Sequence, residues 1–493
     1  MQKRLTAAEK EFFSLVRRAG LANPFSDERM DLDRKIAGFA PSQDNGERLN
    51  RAISEVNRAI ESLEKDEKSN INNFSGPDRP LVEAVFLFEF FYRYRSDFDH
   101  HIQAQIQAGD TPIKVPFAEP ALALFHKRGF SEEEALRYFA LGYQLRRAFF
   151  FIYRNLVGRS QAMTQLRLDL WTNVFTHNLD LYNRYLWSRM EDFSTLILGG
   201  TGSGKGTAAM AIGRSGFIPF DPQTGCFVES FTHSFVSLNL SRFPKTLLES
   251  ELFGHKKGAF TGAIEDYQGV FDRCSPHGAI LLDEIGEISA PIQIKLLQVL
   301  QDRVFSPVGS HHTHRFHGRV IAATNRTMDD IREKGRFRDD FFYRLCSDII
   351  TVPSLHQRIQ EDPNELDDLI ELIVTRLIGS PSPEIAGLVK EIIERRLGRD
   401  YQWPGNVREL EQCVRRVLLK RDYMGDRLPN GPELADRLTG SIVRGEINAQ
   451  DLLAGYCTLL YRRHGTFEAV ARKTGLDRRT VKKYIVEWEN GKE

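Results

Sequence analysis

The chain has 493 residues, 41 % hydrophobic and 27 % charged, which is ordinary for globular protein and enough material for about three domains. Lys plus Arg and Asp plus Glu each number 67, so the net charge is zero and any basic surface must be local. Five scattered cysteines (Cys226, Cys274, Cys346, Cys413, Cys457) form no CxxC pair, which argues against a disulfide framework and for reduced thiols in a cytosolic protein. The N-terminus lacks the apolar core of a signal peptide. No stretch approaches about 18 uncharged apolar residues, so a cytoplasmic chain without membrane contact is expected.

Residues 1–190 read as helix after helix, an all-α region without a catalytic motif. Ala7–Arg18, Glu47–Lys65 and Leu81–Gln107 carry apolar residues at three- and four-residue spacing. Asn70–Pro80 is a polar, Gly/Pro-containing break. Ser131 and Glu134 form a capping-box pattern ahead of a helix through Ala135–Asn155, and a last long helix, Ala162–Met190, is expected. The cluster Asp97, Asp99, His100, His101 suggests a metal site, but adjacent histidines point about 100° apart on a helix and read better as solvated surface. The aromatic patches around Phe86–Tyr92 and Phe149–Tyr153 suit core or dimer packing. Lying upstream of the motif-bearing stretch at 191–357, the N-terminal region suits a sensory or regulatory role.

Residues 191–357 carry the chemistry. A short apolar strand, Ser194–Leu198, runs into GGTGSGKG. Gly199, Gly202 and Gly204 let backbone N–H groups turn toward phosphates, Lys205 neutralises β/γ charge, and the following helix adds its dipole. Gly206 stands where most such loops place a Mg²⁺-binding hydroxyl, with Thr207 one residue later. Between the helix and FVSLNL lies Gly213–Ser234, an unusually long connection that suggests an extra surface loop or a modifier of subunit contacts. Then comes LESELFGHKKGAFTGA: Gly258 and Gly262 bracket Phe260 and Thr261, which describes a projecting loop rather than a helix or strand interior. A strand at Ala279–Leu282 ends in Asp283 and Glu284, placed to hold Mg²⁺ and to polarise water. A further strand, Arg319–Ala323, ends at Thr324 and Asn325, a polar amide beside the γ-phosphate. Alternating strands and helices indicate an α/β fold with a mainly parallel sheet, binding nucleotide at its C-terminal edge. His311, His312, His314 and His317 crowd one loop, read as flexible and polar rather than metal-binding.

Residues 358–440 read as a helical lid, with amphipathic helices at Glu365–Ile378, Pro383–Leu397 and Val407–Leu419 and a turn-rich linker at Leu428–Gly440. WPGNVREL precedes the last of these helices and would project Arg408 toward the nucleotide. Residues 446–493 read as helix, turn, helix: Ala449–Arg463, Thr466–Lys473 and Asp477–Trp488, sharing Ala469, Val470, Val481 and Ile485. The last helix exposes Arg478, Arg479, Thr480, Lys482 and Lys483 near its N-terminal end, where a recognition helix meets double-stranded DNA.

Taken together, ESELFGHKKGAFTGA, LLDEIGE, IAATNR, FRDDFFYRL and WPGNVRELE resemble the AAA+ domain of bacterial enhancer-binding proteins, which activate RNA polymerase carrying sigma-54. The likeness spans Phe193–Leu419, and the tail is similar to the Fis-type helix-turn-helix of that family. The resemblance implies ATP with Mg²⁺ as cofactors, phosphate binding by Lys205, Mg²⁺ at Asp283 and water activation by Glu284. It implies that Asn239 holds that glutamate until nucleotide arrives. Asn325 and Arg408 would be the first and second sensors, and Arg338 and Arg344 would reach the neighbouring subunit's γ-phosphate. Gly258, Phe260, Thr261 and Gly262 would contact sigma-54. The homo-oligomer implied is a hexamer or heptamer ring, or a dimer when inactive. Rival readings are an AAA+ remodeller with another client and a DNA-binding regulator that has lost hydrolysis.

Overall fold

The computed structural model describes residues 3–39, 47–333, 337–398, 400–425, 438–439, 441–443, 445 and 447–490. Two compact units emerge: Met1–Glu391 with Asp400–Arg415, and Ile392–Arg399 with Arg416–Glu493. Neither 190 nor 357 marks a break between them. Within the described residues no helix is long and apolar enough to cross a membrane.

Among the described residues nine strands form three sheets. They are β1 (Thr195–Leu198), β2 (Phe220–Asp221), β3 (Cys226–Phe227), β4 (Phe235–Asn239), β5 (Ala279–Asp283), β6 (Val304–Phe305), β7 (His314–Arg315), β8 (Arg319–Thr324) and β9 (Asp348–Thr351). The central sheet has the order β4-β5-β8-β1-β9 with every pair parallel. Its inner strands are apolar on both sides, as a parallel sheet covered on two faces requires, and β1 and β8 are buried throughout. One face (Leu196, Ile280, Leu282, Ala322) packs under the helices Ala290–Asp302 and Asp339–Leu345. The other (Ile197, Leu281, Ile321, Ile350) packs under the phosphate-loop helix, Lys205–Gly213, and belongs to one apolar core reaching back to Leu5.

The N-terminal region is helical, as expected, and Ser131 and Glu134 make the capping box at the head of Glu132–Asn155. Two expected helices are broken. Leu81–Gln107 is two helices, Arg79–Arg93 and Arg95–Ala108, parted at Tyr94. Ala162–Met190 ends at Phe175: Thr176 takes a left-handed φ of 63°, Asn178 caps a new turn, and short helical turns follow to Asp192. The break lets Tyr182 drop into the core, where its hydroxyl meets Gln144. His101 is not solvated surface: it is buried against Phe117, Tyr143 and Phe227, and burial with nearby Arg147 holds its pKa down at about 4. Among the described residues no group of three or more His, Cys, Asp or Glu is placed to hold a metal.

The long connection after the phosphate-loop helix is not a free surface loop. Strands β2 and β3 pair as a hairpin, and Phe220, Phe227 and Phe231 are buried among N-terminal aromatics. The Phe227 ring stacks on Tyr143 at 3.9 Å, and Val115 N–H donates to Gly225 O at 2.9 Å. Arg147, fully buried, donates to the carbonyls of Arg214 (2.8 Å) and Gly216 (2.6 Å), and Gln144 donates to that of Ser215 (2.8 Å). These carbonyls follow the phosphate-loop helix, where a helix end leaves acceptors unsatisfied.

Helices Leu355–Glu361, Asn364–Ile378, Pro383–Arg396 and Asn406–Lys420 form in the stretch for which a helical lid is expected. The linker reading of 428–440 lies outside the described residues except for Leu438 and Thr439. In the second unit, Ala449–His464, Phe467–Thr474 and Arg478–Asn490 enclose Cys457, Leu460, Val470, Val481 and Ile485. Gly475 takes the left-handed turn between the last two at φ 71°, and Ala469 is only half-buried.

A chain beginning at Met190 loses the cover of one sheet face. It is expected to aggregate or to lack a cooperative melt by circular dichroism; a melt like that of the full chain would contradict the shared core. Arg147→Ala removes the donor from two half-buried carbonyls and empties a fully buried side-chain site, and is expected to destabilise by about 3 kcal/mol, read by urea unfolding.

Candidate nucleotide site

Strand β1 delivers the chain to Gly199 and the helix begins at Lys205. Gly202 (φ 75°) has no room for a side chain: a Cβ would lie 2.3 Å from Gly405 O. Lys205 Nζ donates to Gly199 O at 2.9 Å and Gly200 O at 3.2 Å. Burial lowers its pKa, against the opposing pull of Glu284 and Asp283, and Arg408 lowers it further. Open space surrounds Gly206 where a Cβ would stand, and Thr207 lines the same cavity.

That cavity, of about 440 Å³, is walled by residues 201–207, by Asp283 and Glu284 at the end of β5, and by Arg408 from the lid. The sequence thus brings phosphate loop, acidic strand end and lid arginine together. Asn325 reaches the loop from the end of β8, with Nδ2 3.4 Å from Thr201 Oγ1. Glu409, next to Arg408 in the sequence, accepts from the Tyr401 hydroxyl (2.5 Å) and Gly405 N–H (2.9 Å).

Asn239 departs from expectation. Its Nδ2 donates to Asp283 Oδ2 at 3.1 Å rather than to Glu284. Sheet register is the cause: β4 and β5 pair Asn239 with Asp283, and Glu284 turns into a left-handed conformation at φ 58°. Asn239 Oδ1 accepts from Ser241 N–H (3.1 Å) and Oγ (2.7 Å).

Arg338 and Arg344 do not line this chain's own cavity. Arg338 forks onto Asp340 at 3.0 and 2.8 Å, and Arg344 Nε donates to Leu300 O at 3.1 Å. Both are exposed.

Sequence reasoning missed the apolar wall. Leu156, Val157, Met163 and Leu166 face the nucleotide cavity from a stretch read as sensory. Glu365 fixes that stretch: fully buried, it accepts from Arg159 N–H (2.8 Å), Ser160 N–H (2.7 Å) and the Arg358 guanidinium (2.9 and 2.6 Å). Asn406 was missed as well. Held at φ 51°, it donates to Thr201 O (3.0 Å) and accepts from Leu355 N–H (2.8 Å), tying lid to phosphate loop. An asparagine inside a WPGN turn was the available signal, because asparagine tolerates the left-handed region.

The GAFTGA segment is a compact loop on a short antiparallel base, His255 with Tyr267. Gly258 (φ 81°) and Gly262 (φ 103°) turn the chain, and Gly258 N–H closes it on Ala263 O at 2.9 Å. Lys256 and Asp266 pair across the base at 2.7 Å. The Phe260 ring leans on His255 at 4.9 Å, while Thr261 is exposed and Ile264 is 80 % exposed. The histidine-rich hairpin β6–β7 lies alongside, with Gly309 against Ala259 and His314 Nδ1 2.6 Å from Asp272.

In the second unit the basic helix is partly spoken for. Arg478 pairs with Glu468 at 2.9 Å, Lys483 with Glu487 at 3.6 Å, and the Thr480 hydroxyl bonds the capping Asp477. Among the described residues Arg479 and Lys482 are exposed and have no carboxylate partner.

Part of the chain is similar to known proteins. Residues 177–351 match the family described as Sigma-54 interaction domain. The Nif-specific regulatory protein of Azotobacter vinelandii is 42 % identical over 223 residues, covering 45 % of this chain and 39 % of that protein. The transcriptional regulatory protein GlrR of Escherichia coli is 34 % identical over 262 residues, 52 % of each. The chain thus spans about half or less of the length of these relatives. Among solved structures, NtrX from Brucella abortus in complex with ATP is similar at 20 % identity, covering 76 % of this chain and 80 % of that one, with a TM-score of 0.41. Over residues 177–351 the chain is thus similar to sigma-54 interaction domains, and the same compact unit holds both the cavity at the end of the parallel sheet and the exposed GAFTGA loop.

Proposed function

We propose that the chain is a sigma-54-dependent transcriptional activator that couples ATP hydrolysis to remodelling of the polymerase–promoter complex. The observation that carries this reading is the GAFTGA loop, built with its threonine exposed on the body that holds the nucleotide cavity. The proposed organisation keeps a helical N-terminal region, an α/β ATPase with its lid, and a C-terminal DNA reader.

Lys205 holds the β/γ-phosphates, Asn325 and Arg408 sense the γ-phosphate, and Glu284 orients the attacking water. Asp283 and Glu284 are adjacent oxygen donors at the phosphate loop, a set that fits Mg²⁺ and not a softer ion. When bound, Mg²⁺ supplies charge neutralisation on the phosphates. Arg338 and Arg344, turned away from their own cavity, serve a neighbour's site, which makes the contact heterologous and closes a ring of six or seven subunits. Arg479 and Lys482 are the side chains offered to upstream double-stranded DNA, while Arg478 and Lys483 must first give up a carboxylate and Thr480 supports the helix start.

The deciding experiment pairs ATP turnover with open-complex formation by sigma-54 polymerase. Glu284→Gln is expected to retain ATP binding while turnover falls about 100-fold or more. Thr261→Ala is expected to hydrolyse ATP within about 2-fold of the parent and yet form no open complex. Turnover and open complexes both unchanged in Thr261→Ala would remove the sigma-54 assignment of the loop. Arg479→Ala with Lys482→Ala should lower DNA affinity and flatten its salt dependence by about two charges, read by fluorescence anisotropy across ionic strength.

A further inference from the structure

The N-terminal helices enclose a second large cavity, of about 620 Å³, separate from the nucleotide cavity. Its volume lies within the range of roughly 300–1,000 Å³ typical of small-molecule sites. Leu87, Phe88, Leu145, Phe149 and Trp171 give it an apolar interior, and arginines outnumber carboxylates in its wall.

Most of those arginines are already answered. Arg29 bonds Asp33 at 2.9 Å and the Tyr92 hydroxyl, Arg146 holds both oxygens of Asp99 at 2.6 and 2.7 Å, and Arg17 and Arg184 share Asp180. Arg95 and Arg137 are different. Their guanidinium carbons lie 5.9 Å from the Tyr92 ring centre and 5.1 Å from the Tyr138 ring centre. Neither has a carboxylate partner among the described residues, and Arg137 Nε is buried without a hydrogen-bond acceptor. Stacking on tyrosine offsets only part of the desolvation of a cation. An apolar cavity with two such cations at its wall is matched by a molecule with one anionic end and an apolar body.

We propose that this cavity is an effector site for an amphipathic organic carboxylate, with an aryl or medium-chain body in the apolar interior and its head on Arg137 and Arg95. The helix Glu132–Asn155 connects the site to the ATPase. Tyr138, Leu141, Leu145 and Phe149 recur at three- and four-residue spacing on the cavity side, while Gln144 and Arg147 hold the carbonyls behind the phosphate-loop helix. Occupancy shifts nucleotide chemistry through that helix. This second statement rests on the motor reading above; binding itself does not.

The test is isothermal titration calorimetry of the full chain with 4-phenylbutyrate and octanoate, with neutral 4-phenylbutanol for comparison. ATP turnover is measured in parallel. Saturable one-to-one binding of at least one carboxylate is expected below about 1 mM, with the alcohol about 10-fold weaker, the worth of one charge-assisted contact. Arg137→Gln should reduce the carboxylate to the level of the alcohol. Leu145→Trp, which fills the cavity, should abolish binding of both. Absence of saturable binding by either acid up to about 10 mM, an alcohol as tight as the acids, or affinity unmoved by Arg137→Gln would each overturn the proposal. Binding as expected in a chain that does not hydrolyse ATP would leave the site standing and remove the motor reading instead.

Discussion

Three carbonyl oxygens behind the phosphate-loop helix, those of Arg214, Ser215 and Gly216, are met by Arg147 and Gln144 from a segment about 70 residues earlier. The dependence runs both ways. A helix of nine residues ends with acceptors that need donors, and a cation at that end also suits its dipole. A guanidinium with no exposed surface needs acceptors just as much, because its desolvation is otherwise uncompensated. Around this contact Tyr143, Phe151, Phe227 and Phe231 exclude water, which strengthens each polar bond within. The helical region and the sheet are one body because of it.

That continuity changes what regulation can mean in this chain. A sensor joined by a linker can be removed and leave a motor. Here the same helices cover a sheet face, and residues 156–166 wall the nucleotide cavity. Glu365 then ties the start of that wall to the helix Leu355–Glu361 through four hydrogen bonds. Control in such an arrangement acts by straining or relaxing packed helices rather than by undocking a domain.

Legibility in the sequence followed the chemistry. That the phosphate loop, Asp283–Glu284 and Arg408 meet at one cavity was legible because phosphate and charge demand particular residue types at fixed spacing. Amphipathic helices carry less information: their periodicity says that one face is buried, not against what. Hence Phe220, Phe227 and Phe231 were read as part of a loop, though each is a core residue. The break at Thr176 was hidden for a related reason. Nothing local forces φ to 63° there; the burial of Tyr182 beneath Gln144 does. His101 illustrates the limit again, since helical spacing separates it from His100 by about 100° but leaves open which of them faces inward.

Cross-strand register bears on how nucleotide and loop communicate in the proposed motor. Because β4 pairs with β5 residue for residue, the Asn239 amide nitrogen donates to Asp283, and the amide oxygen of the same side chain accepts from Ser241 N–H. From that turn the chain enters the helix Lys245–Phe253, anchored by Leu248, Leu252 and Phe253, and then reaches His255 at the base of GAFTGA. Whatever draws the Asp283 carboxylate toward the phosphates competes with Asn239 for the same oxygen. The segment between Asn239 and His255 is contiguous, with Leu248, Leu252 and Phe253 buried, so it joins the strand end to the base of the loop. On the proposed function, the contact that a bound nucleotide would compete with is therefore Asn239–Asp283 rather than Asn239–Glu284.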